Sequence, residues 1–101
     1  MSSLTVVAKV VAKKESVEEL RSELLKLLAP TRSEEGCINY TLHQDNEDPV
    51  VFIFYETWAS PAHLERHMAS DHFRVYAKAT EGLVADRAVH KLTEMGTFTT
   101  T

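Results

Sequence analysis

The sequence predicts an α+β domain in which two helices cover one face of an antiparallel sheet, with elements in the order β-α-β-β-α-β. Three observations predict it. Leu4 to Lys13 and Val50 to Trp58 are rich in β-branched residues, and the second also in aromatics. Two other stretches repeat apolar residues at helical spacing, each opening on a serine and closing at a glycine. Between them, turn chemistry joins two strand-like runs into a hairpin. At 101 residues the chain has the length of one compact domain, read as 1–101 with a tail over 96–101.

Each element has its own signal. In Leu4 to Lys13 the even positions are apolar, whereas the odd ones mix Val7 and Val11 with Thr5, Lys9 and Lys13. This is a strand with one buried face and one partly apolar face. Ser16-Val17-Glu18-Glu19 has the capping-box pattern, and Leu20, Leu24, Leu27 and Leu28 follow at helical spacing. The helix is expected to reach Glu35, kinked at Pro30 and stopped by Gly36. Cys37 to Gln44 alternates, with Ile38, Tyr40 and Leu42 on one side, and Asp45-Asn46-Glu47-Asp48-Pro49 is a turn. Ser60-Pro61 caps a second helix whose stripe is Leu64, Met68, Val75, Tyr76 and Ala79, restarted or kinked at Ser70-Asp71. Gly82 ends it, and Ala85 to Met95 is the last strand.

With both helices on one side, the sheet's other face is bare. Four strands of ordinary length present on the order of 300 Å² of flat area. An apolar face of that size reaches the range at which soluble domains have a partner. A homodimer joined sheet to sheet is expected.

Eleven basic against fifteen acidic residues give a formal charge of −4, and the basic residues form no cluster beyond Lys13-Lys14. A nucleic-acid partner is therefore not expected. Cys37 is alone, which excludes an internal disulfide and fits a reducing cytoplasm. Leu4 to Ala12 is too short to span a membrane and lacks the flanks of a signal peptide, so no membrane partner is expected.

His72 lies four residues after Met68 and four before Tyr76, which places it deepest in the helical stripe. His67 flanks the same stripe. His63 and His67 have the spacing of a helical metal pair, but Glu65 does not occupy the glutamate position of zinc-hydrolase motifs, and no metal site is expected. Glu56 shares a strand face with Phe52, Phe54 and Trp58. A carboxylate in that row must reach the edge, pair with a cation or histidine, or hold a proton. Trp58, at the strand end, is the natural wall of a pocket. No phosphate-binding glycine loop and no G-x-S-x-G is present.

Glu35-Gly36-Cys37-Ile38-Asn39-Tyr40, Tyr55-Glu56-Thr57-Trp58, Ala62-His63-Leu64-Glu65-Arg66-His67-Met68 and Ser70-Asp71-His72-Phe73 together resemble antibiotic-biosynthesis-monooxygenase domains. The resemblance runs from Leu4 to about Met95 and is strongest to the small quinol monooxygenases. It implies a ferredoxin-like fold paired into a dimeric α/β barrel, and oxidation of phenols, quinols or anthrones by O₂ without metal, flavin or haem. Anthrone-type members carry Asn four residues before the strand-end Trp, where this chain has Phe54. Haem-degrading relatives place an axial His where this chain has Val75, Tyr76 and Ala77. The positions that match the quinol-type pattern are Tyr40, Glu56, Trp58, His67 and His72.

The function expected is a cofactor-independent monooxygenase in which His72 is the base, His67 or Tyr40 the hydrogen-bond donor, and Glu56 the group that orients a histidine. Trp58 and Phe54 stack on the substrate. Two alternatives use the same pocket: a non-catalytic module binding a small aromatic or carbonyl metabolite, and an isomerase of an unsaturated lactone or keto acid. Only the monooxygenase consumes O₂.

Overall fold

The computed structural model describes residues 3–98. Strand β1 (Leu4–Ala12) leads through a 3₁₀ turn at Lys14–Ser16 into helices α1 (Val17–Leu25) and α2 (Leu28–Arg32). The hairpin of β2 (Cys37–Gln44) and β3 (Val51–Trp58) follows, then α3 (Pro61–Met68), α4 (Asp71–Ala79) and β4 (Val84–Leu92). The four strands form one antiparallel sheet in the order β2-β3-β1-β4. This is the expected α+β, ferredoxin-like topology.

Strand chemistry decides the sheet order. The two central strands are β1 and β3, the runs richest in β-branched or aromatic residues, and the polar positions His43, Gln44, Asp86, Arg87 and Lys91 fall on the edges. Even positions of β1 and β3 face the helices, so Val6, Val10, Phe52, Phe54 and Trp58 are buried against Leu20, Leu24, Leu27, Leu64 and Tyr76. The opposite face carries Val7, Val11, Val51, Ile53, Tyr55 and Leu92 in register across three strands. Among the described residues no helix is long and apolar enough to cross a membrane.

The local signals fared unevenly. Ser60 caps α3 by accepting from the His63 N–H, Pro61 opens the helix, and Ser70 caps α4 by accepting from the Phe73 N–H. Asp45 Oδ1 takes the N–H groups of Glu47 and Asp48 at 2.8 and 3.2 Å, closing the turn as expected. The capping box at Ser16 does not form, because a 3₁₀ turn runs into α1 and the Ser16 side chain makes no cap bond. The first helix is two helices, parted at Lys26-Leu27, with Pro30 inside the second. Ile38 is 63% exposed, not aligned with Tyr40 and Leu42: the β2–β3 register shifts between Cys37 and Asn39, so a bulge turns Ile38 away. Val75 and Ala79 are exposed, and α4 buries Tyr76 instead, with His72 and Phe73 partly covered. β4 stops at Leu92, so Met95 is outside the strand. Residues 93–98 follow without regular structure, and 99–101 of the tail lie outside the described residues.

Candidate active site

Three elements converge on one carboxylate oxygen. His67, in the last turn of α3, is 2% exposed and sets Nδ1 2.6 Å from Glu34 Oε2. His72, in the first turn of α4, brings Nε2 to within 2.7 Å of the same oxygen. A carboxylate accepts from two neutral imidazoles when each presents an N–H. That fixes His67 as the Nδ1–H form and leaves Nε2 as its acceptor. The ring is clamped by Trp58, Phe73 and Tyr40, with centroids 4.8, 5.1 and 5.6 Å away.

Glu34 reaches this position because of the turn that carries it. Its N–H donates to Thr31 O at 3.0 Å, and its carbonyl accepts from the Cys37 N–H at 3.2 Å. Gly36 then turns the chain with φ +84°, and a Cβ there would overlap the His63 ring. His63 is held in place by its Nδ1–Ser60 Oγ bond of 2.8 Å. It is therefore occupied with the turn. His63 and His67, despite their helical spacing, do not converge; Glu34, His67 and His72 do.

Glu56 faces the helices from β3 and is 4% exposed. Its Oε1 accepts from the Trp58 indole N–H at 2.8 Å, and among the described residues no cation lies within ion-pair distance of it. Burial pushes its carboxyl above the usual range; the indole bond opposes this and the Glu34 charge adds to it. Tyr40 stands opposite Glu56 in register and stacks on Phe54 at 4.9 Å. Burial, reinforced by the Glu56 charge, pushes its hydroxyl far above the usual value, so it remains a donor. Burial also draws the His67 imidazole below its usual value, opposed by its bond to Glu34.

A cavity of about 60 Å³ lies between α3, α4 and the sheet. Val6, Ala8, Phe54, Leu64 and Phe73 give it apolar walls, and Tyr40, Glu56, His67 and Tyr76 bring polar groups, with Lys9 also at the lining. Met68, Arg87 and Val89, all exposed, line its outer side.

The structure thus gathers Tyr40, Phe54, Glu56 and His67 around one space, as the sequence suggested. Two placements differ. His72 does not line this cavity; it borders a separate cleft with Glu23, Lys26 and Asp71, and His67 is the deeper histidine. The four residues from Met68 to His72 cross Ser70-Asp71, the site of the expected restart or kink, and the break between α3 and α4 resets the phase. Trp58 does not line the cavity either: it is 0% exposed and backs the His67 ring. The carboxylate that orients histidine is Glu34, whereas Glu56 binds the indole. Glu34 carried no periodic signal, because it sits in a turn; the neighbouring Gly36 was its only marker.

The fold and the cavity define a two-layer α+β domain of the ferredoxin-like class with a buried imidazole on an apolar cavity. Residues 3–79 match the antibiotic biosynthesis monooxygenase family, and the chain belongs to it. It is 28% identical over 98 residues to the uncharacterized protein sll1783 of Synechocystis, spanning 94% of this chain and 67% of that one. It is 30% identical over 78 residues to "Probable quinol monooxygenase YgiN" of Escherichia coli, spanning 69% of this chain and 75% of the relative. The crystal structure of PA3566 from Pseudomonas aeruginosa superposes with a TM-score of 0.91 at 35% identity, covering 95% of this chain and 97% of that one.

Proposed function

We propose that this protein oxidises a small electron-rich aromatic hydroxyl compound, of the phenol, quinol or anthrone kind, to a quinone with O₂, drawing on no cofactor and using His67 as the base. The observation that carries this reading is His67 itself. It is the one histidine among the cavity-lining residues, its Nδ1 is committed to Glu34, and its free nitrogen is an acceptor. The quinol monooxygenase name of the Escherichia coli relative points to the same substrate class.

Ground-state O₂ reacts poorly with neutral closed-shell molecules, so the protein's task is to make the ring electron-rich. His67 Nε2 takes the hydroxyl proton, and the resulting anion passes one electron to O₂. The radical pair closes a C–O bond at a ring carbon that still bears hydrogen, and the imidazolium returns its proton to the peroxide. Loss of that carbon's hydrogen to His67 and cleavage of the O–O bond leave the quinone; the departing hydroxide takes the proton as water. One oxygen atom enters the product and the other enters water.

Magnitudes favour this assignment of roles. Transfer from a phenol near pKa 10 to an imidazole near 6.5 is uphill by about 3.5 units, roughly 5 kcal/mol. Burial of His67 widens that gap, and the Glu34 carboxylate narrows it by attracting the imidazolium. One preorganised donor on a developing oxyanion contributes roughly 3–4 kcal/mol. Tyr40 lies at the cavity as a donor, and Glu56 adds a second when it carries a proton. Phe54 offers the ring a stacking surface. An apolar void of about 150 Å³ holds benzene in another protein, against about 60 Å³ here, so binding a ring requires the exposed Met68 side chain to move aside at the outer side. A homodimer formed through the open sheet face completes the proposal.

Oxygen uptake with 1-naphthol or an anthrone under ¹⁸O₂, corrected for autoxidation, tests it. The expected product is a quinone carrying one labelled oxygen, with the rate reduced roughly 10²–10⁴-fold in His67→Asn and unchanged in His90→Asn on the open sheet face. Turnover without O₂ uptake, or full activity in His67→Asn, rejects it.

A further inference from the structure

The junction of α3, α4 and the α2–β2 turn offers more than a proton-transfer geometry. Two imidazole nitrogens and one carboxylate oxygen, from residues far apart in sequence, all lie within 4.8 Å of one another. We propose that Glu34, His67 and His72 form a binding site for one divalent transition-metal ion of the Zn²⁺ class, which competes with the shared protons for the same three atoms.

Donor chemistry selects the ion. Two of the three ligands are imidazole nitrogens, which suit Zn²⁺, Co²⁺, Ni²⁺ or Cu²⁺ and disfavour Mg²⁺ and Ca²⁺, whose sites are built from oxygen. Charge favours it as well. Two neutral imidazoles and one carboxylate sum to −1, and among the described residues Glu34 has no Lys or Arg within ion-pair distance; its only partners are the two histidines. A divalent ion therefore replaces two hydrogen bonds without displacing a basic side chain.

Geometry requires a small adjustment. Metal–ligand bonds of 2.0–2.1 Å at ordinary angles separate the donor atoms by about 2.9–3.4 Å. The present 2.6 and 2.7 Å must open by roughly half an ångström, and the two imidazole nitrogens, within 4.8 Å of each other, must come into the same range. His67 is clamped between aromatic rings, so His72 supplies the movement: its side chain is 25% exposed and borders the second cleft. Ser70 Oγ, 3.2 Å from His72 Nε2, receives the side chain on its other flank.

Binding moves protons without releasing them. When a metal takes Nδ1 of His67, the neutral ring carries its proton on Nε2, and His72 likewise shifts its proton to Nδ1. His67 then presents a donor to the cavity in place of an acceptor. Where the base assignment above holds, occupancy by metal silences it, but the site itself does not depend on that assignment.

Titration of the full chain with Co²⁺ and Zn²⁺ tests the proposal without reference to activity. The expected result is one equivalent of Co²⁺ bound with the visible absorption of a four- or five-coordinate nitrogen–oxygen site, displaced stoichiometrically by Zn²⁺. Affinity falls at least tenfold in Glu34→Gln and in His72→Asn and is unchanged in His43→Asn, an exposed histidine on the opposite sheet face. His72→Asn is the milder change because its side chain is partly exposed; if Glu34→Gln fails to fold, His72→Asn and the Co²⁺ spectrum decide. No binding below millimolar metal, or undiminished affinity in His72→Asn, overturns it.

Discussion

Glu56 shows how much one residue's surroundings say about its charge. A carboxylate flanked by Phe54 and Trp58 and lacking a cationic partner holds its proton more firmly in the folded protein than in the unfolded chain, because burial penalises its charge. The sign follows from linkage. Below the unfolded pKa both states are protonated and Glu56 costs nothing. As pH rises through the folded value, the folded state must either keep a proton that the unfolded chain has lost or bury a charge, and stability falls. Glu56→Gln keeps an oxygen to accept from the Trp58 indole and does not titrate. Thermal unfolding should therefore give matching Tm values for the two proteins near pH 4 and a higher Tm for the variant at pH 8; equal values at both pH values would show that Glu56 ionises freely. The dilemma of this residue was legible in the sequence, since a lone acid in an apolar row has few options. Its partner was not, because the choice between indole and imidazole depends on side-chain direction. The roles of His67 and His72 were confused for a related reason: both sit near one stripe, and only the break at Ser70 assigns one to the cavity and the other to the outer cleft.

At the level of elements, strands were easier to read than helix ends. Alternation along β1 and β3 survived in the structure because a period of two leaves no ambiguity about faces. The bulge at Ile38 escaped notice, since an extra residue has no compositional mark. The capping box at Ser16 was displaced by a 3₁₀ turn that local pattern does not anticipate. Gly36 is the position where turn, helix and site meet. Its φ of +84° suits glycine alone, and a side chain would press into the His63 ring. Gly36→Ala should destabilise the protein by at least about 1–2 kcal/mol, the usual cost of placing an L-residue in the left-handed region. For a domain of this size that lowers Tm by several degrees. Because the same turn carries Glu34, activity measured well below Tm should fall too. An unchanged Tm would mean that the turn relaxes without strain, and Glu34 would then owe its position to the two histidines.

For the molecule as a whole, the unresolved balance lies on the open sheet face. Tyr55 and Leu92 are 44% and 42% exposed there, beside Val7, Val11, Val51 and Ile53. Lys9, His43, Asp86 and His90 interrupt the patch, so the face is not a cut-open core. Its flat area, on the order of 300 Å², is at the lower edge of the range at which an exposed patch marks a partner and below the roughly 800 Å² per partner of a stable interface. Sheet-to-sheet contact alone is therefore insufficient. Beyond β4, Met95 and Phe98 are 94% and 87% exposed, an unusual state for two large apolar side chains so close together. A second copy that buried both the face and this segment would supply the missing area. Sedimentation equilibrium at micromolar concentration should return a dimer. Ile53→Asp, at the centre of the face, should return a monomer with an unaltered circular dichroism spectrum, and truncation after Leu92 should weaken association at least tenfold. A wild-type monomer at that concentration rejects the homodimer. A dimer indifferent to Ile53→Asp would place the contact on another surface, and one indifferent to truncation would confine it to the sheet.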